Sequence, residues 1–213
     1  MNDKLKYWNT EYGRAKIPTI PSQFAAFVAN ELKSDEVNVV DIGCGNARDA
    51  VFFASLGKHV LGLDGSQTVI KDNIEKYYDK NTELNFNWLD LNDAVSSDFI
   101  LPRKAVVYSR FFVHAIDEKA EVNFFKLLNN NLLDGQRIFL EFRTKYDANL
   151  QKVADKHYRR YISVPDFSKK LNENGFQIEY SITGKGFAKY QSEDAHVCRI
   201  IAEKSINCDG VGG

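Results

Sequence analysis

The stretch Val39-Val40-Asp41-Ile42-Gly43-Cys44-Gly45-Asn46-Ala47-Arg48-Asp49 limits the folds open to this chain more than any other. Its β-branched start predicts a short buried strand that closes on a carboxylate. Two glycines then allow positive φ, with bare peptide groups brought close to a ligand. A helix beginning directly after such a turn points its unpaired N–H groups at the same place. Strand, glycine turn and helix in that order open a βαβ unit, so strands and helices should alternate further on.

The downstream pattern does alternate. Apolar spacing predicts a helix from about Ser22 to Lys33, with Ser22 as N-cap and Phe24, Phe27, Val28 and Leu32 on one face. Strands are predicted at Val37–Ile42, His59–Leu63, Leu84–Leu89, Lys104–Ser109 and Ile138–Phe142. Helices fall at Ala47–Leu56, Ser66–Tyr78 and Asp117–Asn131. Pro165-Asp166-Phe167 opens a further helix, which Asn174-Gly175 ends. Phe176–Ile182 and His196–Ala202 have no helix between them and read as an antiparallel pair. The expected fold is therefore α/β and Rossmann-like: a seven-stranded, mostly parallel sheet with an antiparallel C-terminal strand pair. Ligands of such sheets sit beyond the carboxyl ends of the strands, where strand order reverses.

With 213 residues and no repeat or low-complexity linker, the chain reads as one domain over 1–206. Within it, 1–20 is taken as an N-terminal lid segment and 143–164 as a substrate-side insertion, followed by a flexible tail at 207–213. A net charge of −1 gives no general attraction to nucleic acid or an anionic membrane, so any preference for anions must be local. Cys44, Cys198 and Cys208 form no CxxC pair, which argues against a disulfide framework or a zinc site, and no metal is expected. The first residues, Met-Asn-Asp-Lys-Leu-Lys, lack a signal-like apolar stretch, and no membrane-length apolar run occurs. A cytoplasmic protein with no membrane or nucleic-acid partner is the expectation.

Gly43 and Gly45 do not identify the ligand by themselves. A dinucleotide loop follows G-x-G-x-x-G/A, and here Arg48 fills the third position, where its bulk opposes close pyrophosphate approach. Asp64 ends the second predicted strand in Leu61-Gly62-Leu63-Asp64-Gly65-Ser66, where a carboxylate accepts from ribose hydroxyls. Asp90 follows the third in Trp88-Leu89-Asp90-Leu91, placed for the exocyclic amine of an adenine, with Leu91 offering its N–H and an apolar edge. Asp64 or Asp90 alone reads equally well as a helix N-cap. Three strand-end acids in successive βα units are far more specific.

With these residues the chain resembles the class I S-adenosylmethionine-dependent methyltransferases, by motif over about residues 20–142 and by strand pattern beyond. The resemblance implies the class I methyltransferase fold and S-adenosyl-L-methionine as cofactor. It places Asp41, Gly43 and Gly45 at the methionine part, Asp64 at the ribose, Asp90 with Leu91 at the adenine, and Ser109 among the cofactor-binding residues. The form G-C-G-N-A-R-D-A-V-F-F-A looks like bacterial small-molecule and surface-polysaccharide methyltransferases. Arg48 either meets the cofactor carboxylate or pairs with Asp49 or Asp41. Tyr7, Trp8 and Tyr12 either close over the sulfonium, which aromatic faces favour, or pack on the sheet edge.

Val106–His114 stands where this family carries its catalytic loop. It has no [D/N]-P-P-[Y/F/W], no Pro-Cys and no acidic cluster, which lowers the amino-directed DNA, cytosine C5 and metal-assisted catechol types. His114 reads as a general base or as a core histidine, and His157 is a second candidate base. Between Arg143 and Lys170, eight Lys or Arg face three Asp. Arg110, Arg143, Arg159 and Arg160 would fork onto phosphate or carboxylate, and Tyr146 and Tyr158 would stack on a sugar or base; the alternative is a solvated helical face. Arg143, at a strand end, is the first candidate for both catalysis and acceptor binding, and Gly184–Tyr190 for the far wall.

The expected function is O-methylation of an anionic small molecule, such as a sugar nucleotide or a surface-polysaccharide unit, which implies a role in polysaccharide biosynthesis. S- or chalcogen-methylation in detoxification and a non-catalytic S-adenosylmethionine-binding module are the alternatives. A dehydrogenase and an RNA methyltransferase rank below them.

Overall fold

The computed structural model describes residues 20–77, 83–93, 98–148 and 160–205. The expectations placed on Tyr7, Trp8 and Tyr12, on His157, Tyr158 and Arg159, and on the tail lie outside these residues.

The chain enters through α1 (Gln23–Glu31), where the Ser22 hydroxyl caps the helix by accepting the Ala25 N–H at 3.0 Å. There follow β1 (Asn38–Ile42), α2 (Arg48–Ser55), β2 (His59–Asp64), α3 (Gln67–Tyr77) and β3 (Leu84–Trp88). β4 (Ala105–Arg110) leads to α4 (Glu118–Asn131), which Asp117 caps through the Ala120 N–H at 3.0 Å. β5 (Arg137–Arg143) is followed by α5 (Val164–Glu173), with Pro165 in its first turn, where a missing N–H costs nothing. β6 (Phe176–Gly184), β7 (Lys189–Tyr190), β8 (Glu193–Asp194) and β9 (Val197–Lys204) complete the order.

Seven strands form one sheet in the order β3-β2-β1-β4-β5-β9-β6. β1 to β5 pair in parallel, while β9 runs antiparallel to both β5 and β6, with β9 between them. The sheet is the one the alternation predicts. β7 and β8 form a separate hairpin that the sequence does not announce, because two residues per strand carry no readable period.

Each sheet face is sealed by its own apolar layer. On one, Phe24 of α1 and Phe53 of α2 flank the β4 ring of Tyr108, with centroids 5.1 and 5.0 Å away. On the other, Phe125 of α4, Phe142 of β5 and Phe167 of α5 interlock. Burial of each such ring contributes roughly 1.5–3 kcal/mol. Strand order reverses at β1, which has β2 on one side and β4 on the other. The carboxyl ends of these strands form the crevice in which α/β sheets bind ligands. Among the described residues, no helix is long and apolar enough to cross a membrane.

Candidate active site

The glycine turn hangs from β2. The N–H groups of Gly43 and Cys44 both donate to the Leu63 carbonyl, at 2.8 and 3.0 Å. Gly43 has φ +80°, and a Cβ there would lie 2.6 Å from Phe112 Cδ2, so no other residue fits without movement. The Ala47 N–H closes the turn on the Cys44 carbonyl at 3.0 Å. Ala47 itself is left-handed, at φ 63°, and starts α2 without a side-chain cap. A left-handed alanine costs on the order of 1–2 kcal/mol, strain of the kind that gathers at ligand sites.

Three carboxylates converge beneath this turn. Asp49, on α2, accepts the Ser22 N–H at 2.7 Å, the Ser22 hydroxyl at 2.8 Å and the Tyr108 hydroxyl at 2.7 Å, tying α1 and β4 to the helix start. Asp64 accepts the Gly45 N–H on one oxygen and the Ser66 N–H on the other, at 3.0 and 2.9 Å. Burial raises the Asp64 carboxyl, and these two hydrogen bonds oppose the rise. Asp41, at the end of β1, is 2% exposed. Burial first, and then the charges of Asp49 and Asp64, push its carboxyl well above the usual range, while Arg48 and Arg110 pull the other way. Of the two carboxylates the sequence offered Arg48 within the chain, Asp49 is the one it pairs with, its Oδ1 3.6 Å from the Arg48 Nε. The Cys44 thiol is pushed up by burial and stays protonated.

The remaining cofactor candidates lie along the same edge. Asp90 holds a turn by accepting the Asn92 N–H and side-chain amide, both at 2.9 Å. The Leu91 side chain is buried in the core, and its carbonyl accepts from Asn123 at 2.8 Å. The hydroxyl of Ser109 donates to the Ile42 carbonyl at 2.9 Å, joining β1 and β4 at the point where strand order reverses. Asn73 of α3, which the sequence reading passed over, donates to the Gly45 carbonyl at 2.7 Å. The only sequence signal for it is a polar residue on the otherwise apolar buried stripe of α3.

On the acceptor side the arginines are paired with internal carboxylates. Arg110 and Arg199 each donate to one oxygen of Glu141, both at 2.8 Å. Arg143 is 6% exposed and bonds Asp147, at 2.7 Å, and Glu193. Arg160 bonds Glu121, which Lys170 also meets, while its backbone N–H donates to the His114 carbonyl at 2.7 Å. Of the guanidinium forks expected to meet an anion, Arg110, Arg143 and Arg160 each bond an internal carboxylate, and Arg159 lies outside the described residues. Arg143, with two anionic partners, offers no positive surplus. Tyr146 is 78% exposed and leans on the His196 ring, with centroids 5.2 Å apart.

His114 is buried, and its Nδ1 accepts the backbone N–H of Arg143 at 3.2 Å. A backbone N–H can only donate, so the neutral ring carries its proton on Nε2. In this arrangement His114 presents a donor rather than a base. His196, which sequence reasoning missed as a site residue, stands just before β9 with its Nδ1 2.7 Å from the hydroxyl of Thr144, the residue after β5. Phe111 turns the chain after β4 with a left-handed φ of 58°, and Arg110 and Arg143 lie over its ring at 4.1 and 5.1 Å.

No family model matches the chain. Three proteins of Schizosaccharomyces pombe (strain 972), each named an uncharacterized methyltransferase, are 40% identical to it over 55 residues. That match takes in 26% of this chain and spans 38% of the length of those relatives. The glycopeptide N-methyltransferase MtfA complexed with S-adenosyl-L-methionine superposes with a TM-score of 0.68 at 13% identity, covering 87% of this chain and 95% of that one. A structure described as the conversion of a disulfide bond into a thioacetal group during echinomycin biosynthesis gives a TM-score of 0.71 at 19% identity, covering 97% and 94%. Magnesium protoporphyrin IX methyltransferase from Synechocystis PCC 6803 with bound S-adenosylmethionine gives 0.60 at 20% identity, covering 85% and 76%.

The chain has the class I methyltransferase fold. MtfA has also been solved with sinefungin and with S-adenosylhomocysteine. In this fold the glycine turn and its three carboxylates lie at the carboxyl ends of β1 and β2, beside the point where strand order reverses.

Proposed function

We propose that this chain is an S-adenosylmethionine-dependent methyltransferase acting on a small-molecule acceptor. The Asp64 carboxylate, fixed by the Gly45 and Ser66 N–H groups, carries the reading. It welds the glycine turn to the end of β2 and retains lone pairs for two ribose hydroxyls. Asp41, with Gly43 and Gly45, takes the methionine part, and Asp90 and the Leu91 main chain take the adenine. Bound there, the cofactor supplies an electrophilic methyl group on a sulfonium. The protein's part is to orient it and to exclude water from the transfer.

The acceptor placed first is a hydroxyl of an anionic small molecule, such as a sugar nucleotide or a polysaccharide unit. Charge balance supports it. Glu141 faces two guanidiniums and Glu121 faces Arg160 and Lys170, each cluster with one positive charge in excess. Arg143 between Asp147 and Glu193 has one negative charge in excess, which leaves one positive charge over the three. The Nδ1 hydrogen bond of His114 favours a second reading, with a thiol or chalcogen oxyanion as acceptor, because a soft nucleophile requires no base.

Calorimetric titration with S-adenosylhomocysteine tests the cofactor. An acceptor screen with His157→Ala and His196→Ala separates the two chemistries. Hydroxyl transfer loses on the order of 100-fold or more when its base is removed, whereas soft-atom transfer keeps most of its rate in both variants.

A further inference from the structure

Gly45 is held from two sides. Its N–H, part of the peptide before its Cα, donates to Asp64 Oδ2 at 3.0 Å. Its carbonyl, part of the peptide after it, accepts from Asn73 Nδ2 at 2.7 Å. Fixing both peptide planes fixes φ and ψ at the residue least able to hold them itself, here at φ +52°. Asn73 is 4% exposed and shares the inward stripe of α3 with Val69 and Ile70. An apolar side chain there would leave the buried Gly45 carbonyl without this donor, and the buried amide in turn is satisfied by that carbonyl. The same helix returns to the same carboxylate. The Ser66 N–H donates to Asp64 Oδ1, and the Ser66 hydroxyl caps α3 by accepting the Val69 N–H at 3.2 Å. Asp64, Gly45, Asn73 and Ser66 thus close a ring around the turn.

We propose that Asn73 is a positioning residue for the methyl donor. By gripping the Gly45 carbonyl it sets the glycine turn, and through Gly45 it sets the Asp64 carboxylate, at the methionine and ribose ends of the site. The proposal rests on the reading of the crevice as an S-adenosylmethionine site. Asn73 acts through Gly45 and takes no part in the transfer itself.

The isosteric Asn73→Asp tests it, because the shape is kept while a donor facing a carbonyl becomes an acceptor. Two oxygens repel when the carboxyl is ionised and share a hydrogen bond when it is protonated; burial beside a carbonyl raises that carboxyl's pKa. S-adenosylhomocysteine binding is measured by calorimetry at about pH 8 and about pH 5, on either side of such a raised carboxyl. Each variant affinity is divided by that of the wild type at the same pH, which removes the pH dependence the two proteins share.

The expected result is binding weaker by about tenfold or more at the higher pH, recovering toward wild type at the lower one. Asn73→Ala, shown to be folded by circular dichroism, is weakened at both pH values to a similar extent. Binding of Asn73→Asp within about twofold of wild type at the higher pH, or an equal loss at both, overturns the proposal. If Asn73→Asp does not fold at the higher pH, Asn73→Ala decides: weakened binding supports the proposal and wild-type binding overturns it. A wild-type protein that binds no S-adenosylhomocysteine overturns the reading of the site instead.

Discussion

The backbone N–H of Arg143 donates to Nδ1 of His114 at 3.2 Å, joining the end of β5 to the loop after β4. Two of the three residues that the sequence marks for chemistry are thereby bound to one another, and the imidazole is held in one tautomer. Nitrogen-15 NMR of the histidine ring should show a protonated Nε2 and a bare Nδ1 in the neutral form. His114→Ala strands a buried N–H and should destabilise the fold by about 1–3 kcal/mol in urea titrations. A protonated Nδ1 would contradict this.

Glu141 is the buried anion between Arg110 and Arg199, and Phe24, Phe27 and Phe187 surround the Arg199 guanidinium at 5.2–5.4 Å. Glu141→Gln leaves two sequestered cations without their charge partner. The expected loss is roughly 3–5 kcal/mol in unfolding free energy, because breaking a buried ion pair from one side exposes the full desolvation cost of the other. A loss below about 1 kcal/mol would place the network in a far more solvated setting.

The Asp41 carboxyl is raised by burial and by its acidic neighbours. Between the ordinary aspartate pKa of about 3.9 and that raised value, the folded protein holds a proton that the unfolded chain has lost. Stability therefore falls as pH rises through this window, and the penalty persists above it. Asp64 is shifted in the same direction and adds to the slope. Asp41→Asn should raise the melting temperature of the ligand-free protein at neutral pH, on the order of 2–4 °C for each kcal/mol relieved, and flatten the acid-side slope. Melting curves across the pH range check both.

Gly43→Ala meets two obstacles: a left-handed φ of +80° and the Phe112 ring at 2.6 Å. It should cost roughly 1–3 kcal/mol of stability and weaken cofactor binding. Phe112→Ala in the same chain removes the clash but not the strained φ, so recovery should be partial. Full recovery in chemical denaturation would show that sterics alone fix this glycine.

The succession of strands and helices and the glycine turn could be read from the sequence, because β-branched runs, glycines and strand-end acids at Asp41, Asp64 and Asp90 are local signals. What surrounds them could not. The carboxylates that bind Arg110 and Arg160 lie 31 and 39 residues away along the chain, and of the two on Arg143 only Asp147 is local while Glu193 is 50 residues away, so most of these pairs carry no sequence signal. The tautomer of His114 depends on which backbone N–H the end of β5 brings to it, a fact of register. Asn73 sits mid-helix, where a polar residue on an apolar stripe is its one sequence signal and its partner appears only once the glycine turn is folded beside it.

Calorimetric titration of S-adenosylhomocysteine into the wild-type protein and into Asp64→Ala tests the central claim most directly. Wild type should bind one equivalent. Asp64→Ala should bind at least about tenfold more weakly, since it loses a charged acceptor that also holds the Gly45 turn. Absence of binding by the wild type, or equal binding by the two proteins, would contradict the assignment of this crevice to a methyl donor.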